Sequence, residues 1–354
     1  MTSGHRIRKE IQFLRAVAVT LVVLSHLGIG MFSGGFVGVD MFFVVSGFVI
    51  GLTMANEQTS SGKVSLRRFF ERRFFRIYPP LAFMVVGASV YAYVVLAFDR
   101  SQDFFIQQAR AALFSYGNFF FMFHKMDYFL QDANATFFLH TWSLGLEEQF
   151  YLTLPIFIMV LAVLGRKKVF GERVTVWKRG FAALAVASLA TALAIYNGHL
   201  GWFSSEFRTV FVFYSTLTRA WEFLLGLLVA VVISQRELRG DIQLHKRFSV
   251  MASLSITALV FVLFAYTTFE WSQFVVSSVT AFATAAFIYS LPQSALNKQS
   301  IFGNRMFQAI GNSSYSIYLW HWIAVAVAED VFHPANAKRK SALVLLSVVP
   351  AFLS

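Results

Sequence analysis

The sequence predicts an all-helical membrane protein, a polytopic bundle of about ten spans with both termini in the cytoplasm. Two observations carry that fold class. Apolar runs of the roughly 20 residues needed to cross a bilayer recur along the whole chain. Composition agrees: 57% of the 354 residues are hydrophobic and 17% aromatic, with 42 Phe. Mean hydropathy is +0.62 and 14% of residues are charged, against about a quarter in soluble domains. The net charge of +12 fits basic cytoplasmic loops and does not call for nucleic acid. The chain has no cysteine, which excludes disulfides, thiolate–zinc sites and a Cys-bound acyl intermediate. No removable signal peptide is expected, because the first apolar run lacks a small-residue cleavage site and continues into a second.

The tail 1–10 carries His5, Arg6, Arg8 and Lys9, so the positive-inside rule keeps it in the cytoplasm. Span 1 (about 11–30) runs outward, Gly34-Gly35 turns the chain, and span 2 (about 36–55) returns. The stretch 56–80 sets Lys63, Arg67, Arg68, Arg72, Arg73 and Arg76 among Phe and Leu, as in an amphipathic helix on the inner surface. Pro79-Pro80 is expected to break it before span 3, about 81–98. Phe104–Phe123 is apolar but holds Gln107, Gln108, Arg110 and Asn118. Counting it as a span would put the basic run between Arg166 and Arg179 outside, so it is read as an external loop with an interfacial helix. Spans 4 (about 143–164), 5 (180–197), 6 (213–234), 7 (249–266), 8 (272–291) and 9 (313–329) follow. The basic loops 165–179 and 235–248 fall inside. Span 10 begins near 341 and only 14 residues remain to Ser354, so the chain is expected to stop before its natural end. The whole of 1–354 reads as one membrane domain.

Polar groups within spans are costly and mark candidate sites. Arg15 and His26, in IQFLRAVAVTLVVLSHLGIG, lie 11 positions apart, three helical turns or roughly 16 Å on nearly one face. His26, Asp40, Glu147 and Glu148 each lie four or five residues below the outer end of a span, so three helices bring a histidine and carboxylates to one depth. Histidine beside a carboxylate is the pairing general-base catalysis uses. A buried hydrogen-bond network that locks the bundle is the other reading of the same residues. On the inner side, Arg73 and Arg76 in RRFFRIYPP share a helix face, and the arginine fork suits phosphate. Arg219 and Glu222, in TRAWEFLLG, are spaced to neutralise each other within span 6. Trp142, Glu148, Arg219, Glu222 and His321 are candidate cavity-lining residues. Gly47-x-x-x-Gly51 reads as helix packing. No metal-ligand spacing, phosphate-cradling Gly loop or serine nucleophile elbow occurs.

These motifs together resemble the acyltransferase-3 membrane family, which includes O-antigen acetylases. The residues that carry the likeness are Arg15 and His26, GGFVGVDMFFVVSGFVI, Arg73 and Arg76 before IYPP, and HTWSLGLEEQFY, with TRAWEFLLG and SYSIYLWHWI later. The resemblance implies a bacterial inner-membrane O-acyltransferase that takes acetyl from cytoplasmic acetyl-CoA to a surface carbohydrate. It also implies a catalytic His26, with Arg15, Arg73 and Arg76 binding the acyl-CoA. Glu147 or Asp40 would orient His26, which either deprotonates the acceptor or carries the acyl group. Many members pass the acyl group to an external hydrolase-like domain, a candidate partner here. A transporter with an intramembrane charged path is the alternative class.

Overall fold

The computed structural model describes residues 9–61, 65–95, 101–126, 136–164, 170–199, 201, 203–238, 254–262, 266, 272–290, 301–332 and 338–344. Among the described residues every regular element is helical and there is no strand. Among the described residues, five segments are long and apolar enough to cross a membrane: Gly30–Glu57, Leu66–Val95, Thr175–Tyr196, Ser205–Arg236 and Gln273–Ser290.

The helices are α1 (Lys9–His26), α2 (Gly38–Ser61), α3 (Leu66–Val95), α4 (Ser101–Leu113), α5 (Gly117–Phe123) and α6 (Trp142–Leu164). After them come α7 (Phe170–Tyr196), α8 (Ser205–Tyr214), α9 (Thr216–Leu238), α10 (Gln273–Ser290), α11 (Arg305–Asn312) and α12 (Ser314–Phe332). The chain divides into two compact units. The first comprises 1–52 and 225–318, and the second 53–224 and 319–354.

In the first unit, α1 ends at His26 because Gly28 takes the left-handed conformation, φ +72°, which costs glycine nothing. A 3-10 turn over Gly30–Val37 leads into α2. Phe13 of α1 packs edge-on against Phe302 and Phe307, at 5.1 and 4.9 Å between centroids. The α2 and α9 backbones meet closely at glycines: a Cβ on Gly226 would stand 1.9 Å from the Val44 carbonyl oxygen, and one on Gly51 2.8 Å from Ala230 Cβ. The packing reading of Gly51 therefore holds.

In the second unit, the faces of Phe150 and Phe223 stack at 4.6 Å, joining α6 to α9. The Trp322 indole donates to the Thr136 carbonyl at 2.7 Å. Leu152, Ile156, Met159 and Val163 recur every three or four positions on α6 and are all exposed. A stripe of that kind is a liability in water and what a lipid-facing helix needs.

Several expected boundaries move. The pair Pro79-Pro80 does not break the chain, since α3 runs unbroken from Leu66 to Val95 with both prolines inside. The prolines withhold the helical hydrogen bond from the Phe75 and Arg76 carbonyls, and both residues are exposed. Arg173, Lys178 and Arg179 lie on α7 and not in a loop. Span 6 is interrupted at Ser215, which is extended (φ −83°, ψ 133°) between α8 and α9. The Thr218 hydroxyl takes up the Val212 and Ser215 carbonyls there, each at 2.9 Å. Phe104–Phe123 falls on two helices, Ser101–Leu113 and Gly117–Phe123, of 13 and 7 residues, each shorter than the roughly 20 residues of a span. Within span 7, residues 254–262 are helical, while 249–253 and 263–265, like span 10 beyond Val344, lie outside the described residues.

Candidate functional site

The start of α6 concentrates the polar groups of the second unit. Glu147 and Tyr151 sit four apart, one above the other on one helix face. The Tyr151 hydroxyl donates to Glu147 Oε1. On its other side the Tyr151 oxygen accepts from Arg73 Nη1 of α3 at 3.1 Å. The guanidinium also stands over the Tyr151 ring, 4.5 Å from its centroid, and 5.7 Å from that of Phe69. Tyr151 and Phe69 are both buried and meet edge to face. Glu148, next along, has a buried Oε1 with no hydrogen-bond partner among the described residues. Arg76 is exposed.

Not all of the α3 arginines are in this state. Arg72 pairs with Glu57 at 2.7 Å and Arg67 with Glu71 at 2.7 Å. Arg73 makes no salt bridge among the described residues. Its direct contacts are a neutral oxygen and two ring faces, and the Glu148 carboxylate acts on its charge at longer range.

Below this chain of contacts lies an amide lock. Asn118 and Gln149 exchange hydrogen bonds, Nδ2 to Oε1 at 3.2 Å and Nε2 to Oδ1 at 2.7 Å. Asn118 also donates to the Tyr214 carbonyl at 3.1 Å, and the Thr216 hydroxyl donates to Gln149. Gln149 reaches the Ser115 carbonyl at 3.3 Å, where the chain turns through a positive φ of 56° between α4 and α5.

Arg219 and Glu222 are fully enclosed and ion-paired at 3.1 Å, the mutual neutralisation their spacing predicted. Trp142 is buried against Phe213 at 4.4 Å and Tyr214 at 5.4 Å. His321 is buried 6.0 Å from the ring of His140, which itself stacks on Trp322 at 5.8 Å.

Arg15, His26 and Asp40 belong to the first unit. Arg15 is half-buried, with Nη1 3.4 Å from Gln12 Oε1 one turn earlier. His26 is the last residue of α1 and is half-buried. Asp40, in the first turn of α2, is buried and accepts a hydrogen bond from the Ser277 hydroxyl at 2.9 Å.

Sequence reasoning missed Tyr151, His140 and the Asn118–Gln149 pair. Tyr151 carried a local signal, its four-residue spacing from Glu147. Its contact with Arg73, 78 positions away, left no trace in the local pattern.

A family model described as an acyltransferase domain, the third of its series, matches residues 8–354. The chain is 29% identical over 336 residues to the peptidoglycan O-acetyltransferase OatA of Listeria monocytogenes, covering 91% of this chain and 50% of that protein. It is 29% identical over 343 residues to YrhL of Bacillus subtilis, whose name gives the same activity provisionally, covering 95% and 51%. A provisionally named O-acetyltransferase of Staphylococcus aureus is 28% identical over 328 residues, 90% and 51%. The chain thus spans about half the length of the curated relatives it matches. No solved structure matches it significantly.

Proposed function

This chain belongs to the acyltransferase-3 family, and from that premise we propose that it is an integral-membrane O-acetyltransferase. It moves acetyl from cytoplasmic acetyl-CoA to a hydroxyl of cell-wall carbohydrate. The observation that carries the reading is the family match along nearly the whole chain, with relatives named for peptidoglycan O-acetylation. The bundle in this reading has about ten spans, with both termini on the cytoplasmic side of the bacterial inner membrane.

In the transfer the thioester C–S bond breaks and an ester C–O bond forms. The proton leaving the acceptor hydroxyl ends on the CoA sulfur. His26 is assigned either as the base that moves this proton or as a transient acyl carrier that needs two such steps. Arg73, Arg76 and Arg15 are assigned to the phosphates of the donor, where a planar fork binds two oxygens at once. Asp40 and Glu147 are the carboxylates assigned to acid–base work. An external hydrolase-like domain is the proposed relay for members that use one.

The test is transfer of labelled acetyl from acetyl-CoA to muropeptides by the purified chain in nanodiscs. His26→Ala should lower the rate by roughly 10²- to 10⁴-fold, the usual cost of a lost general base, while acetyl-CoA still binds. No transfer by the wild-type chain overturns the activity. A His26→Ala rate above about a tenth of wild type, well short of that range, returns His26 to a structural role.

A further inference from the structure

The charge on Arg73 is handled unlike that of its neighbours, and the cause is one phenol. Arg67 and Arg72 each face a carboxylate at 2.7 Å, so their charges are already answered. Arg73 faces Tyr151 instead. The Tyr151 hydrogen goes to Glu147, so its oxygen is turned to accept from Arg73 Nη1. The guanidinium plane is further fixed by the Tyr151 ring at 4.5 Å and the Phe69 ring at 5.7 Å. Those contacts take one corner and the faces of a group that carries five N–H donors in a rigid fork. They cost the group none of its charge.

We propose that Tyr151 is a positioning residue that holds Arg73 oriented and un-neutralised, so that its remaining N–H edge receives a phosphate of the acyl donor. The proposal rests on the reading of the chain as acetyl-CoA-dependent. Glu147 acts here at one remove: by accepting the Tyr151 hydrogen it sets which way the phenol dipole points. A carboxylate in the place of Tyr151 would bind Arg73 more strongly and consume the charge the phosphate needs. A phenylalanine would keep the ring and leave Nη1 without its anchor.

The experiment measures CoA binding by calorimetry and acetyl-transfer kinetics, on the full chain in nanodiscs, for wild type, Tyr151→Phe, Arg73→Ala and the double variant. Tyr151→Phe should weaken CoA binding roughly tenfold, the worth of a hydrogen bond to a charged group. The KM for acetyl-CoA should rise by the same factor, and that rise should exceed any change in kcat at saturating donor, since uniform binding is what is lost. In the Arg73→Ala background Tyr151→Phe should add nothing, because its effect runs through Arg73. Phe69→Leu, which removes the second ring, should weaken CoA binding two- to fivefold or so, as expected for a cation–π contact; it serves if Tyr151→Phe fails to fold.

Wild-type binding with unchanged affinity in Tyr151→Phe and Phe69→Leu overturns this proposal and leaves the proposed function standing. Additive losses in the double variant, or a fall in kcat with KM unchanged, also overturn it, since Tyr151 then acts apart from Arg73. A wild-type chain that binds no CoA overturns the functional reading, and the role of Tyr151 with it.

Discussion

Arg219 and Arg73 both carry charge into the packed helices of the second unit, and the fold treats the two differently. Arg219 meets Glu222 three residues on, at 3.1 Å, with both side chains enclosed. Arg73 meets a phenol and two aromatic faces, with Glu148 acting on it from beyond salt-bridge range. An enclosed ion pair keeps helices in register and offers nothing to a ligand. A charge steadied by neutral groups keeps its field. In the proposed function, the difference separates an arginine that builds the protein from one that meets a phosphate.

The contrast breaks first at Arg219. Arg219→Ala leaves the Glu222 carboxylate buried without its ion-pair partner and should cost about 3–5 kcal/mol of stability, seen as a large drop in melting temperature in detergent. Joint replacement by Met at 219 and Leu at 222 should recover most of that loss, because the desolvation of both charges goes with them. A harmless single variant would show that the pair is not structural. The middle effect is at Arg73. Arg73→Met, measured by the same melt, should cost about 1 kcal/mol, the scale of a cation–π contact and one modest hydrogen bond, since it breaks no salt bridge. A loss as large as that at Arg219 would erase the distinction. The smallest effect is at Arg72. Its half-exposed pair with Glu57 should contribute roughly 0.5 kcal/mol, and Arg72→Ala should leave CoA affinity where it was. Weakened CoA binding in that variant would spread the donor site beyond Arg73.

Much of the architecture was legible because long apolar helices announce themselves by length. The expected spans 143–164, 272–291 and 313–329 correspond to α6 (Trp142–Leu164), α10 (Gln273–Ser290) and α12 (Ser314–Phe332). The Pro79-Pro80 break failed because proline ends a helix only where the freed carbonyls have no other recourse, and exposure at Phe75 and Arg76 supplies one. The interruption at Ser215 was invisible because it needs no glycine or proline, only hydroxyls that satisfy the open carbonyls. At the site, the Arg219–Glu222 pair was readable from its spacing alone. Arg73 was named for its charge and its place near the membrane entry. What holds it was not readable, since Tyr151 looks like any aromatic in an apolar helix until α3 is laid beside α6. His140 stayed hidden in the same way, its partners His321 and Trp322 lying some 180 positions on.

The reciprocal amides of Asn118 and Gln149 bear on how this sequence can change over generations. Each amide offers an acceptor where the other offers a donor, and Asn118 is wholly enclosed. A carboxylate at 118 would face the Tyr214 carbonyl with an acceptor in place of the present donor. An apolar side chain would strand the amide across from it. A change at one position therefore calls for a matched change at the other, so a double substitution at 118 and 149 should be tolerated better than either single one. Neither amide titrates, so the hydrogen bonds the two exchange keep their direction whatever the acidity.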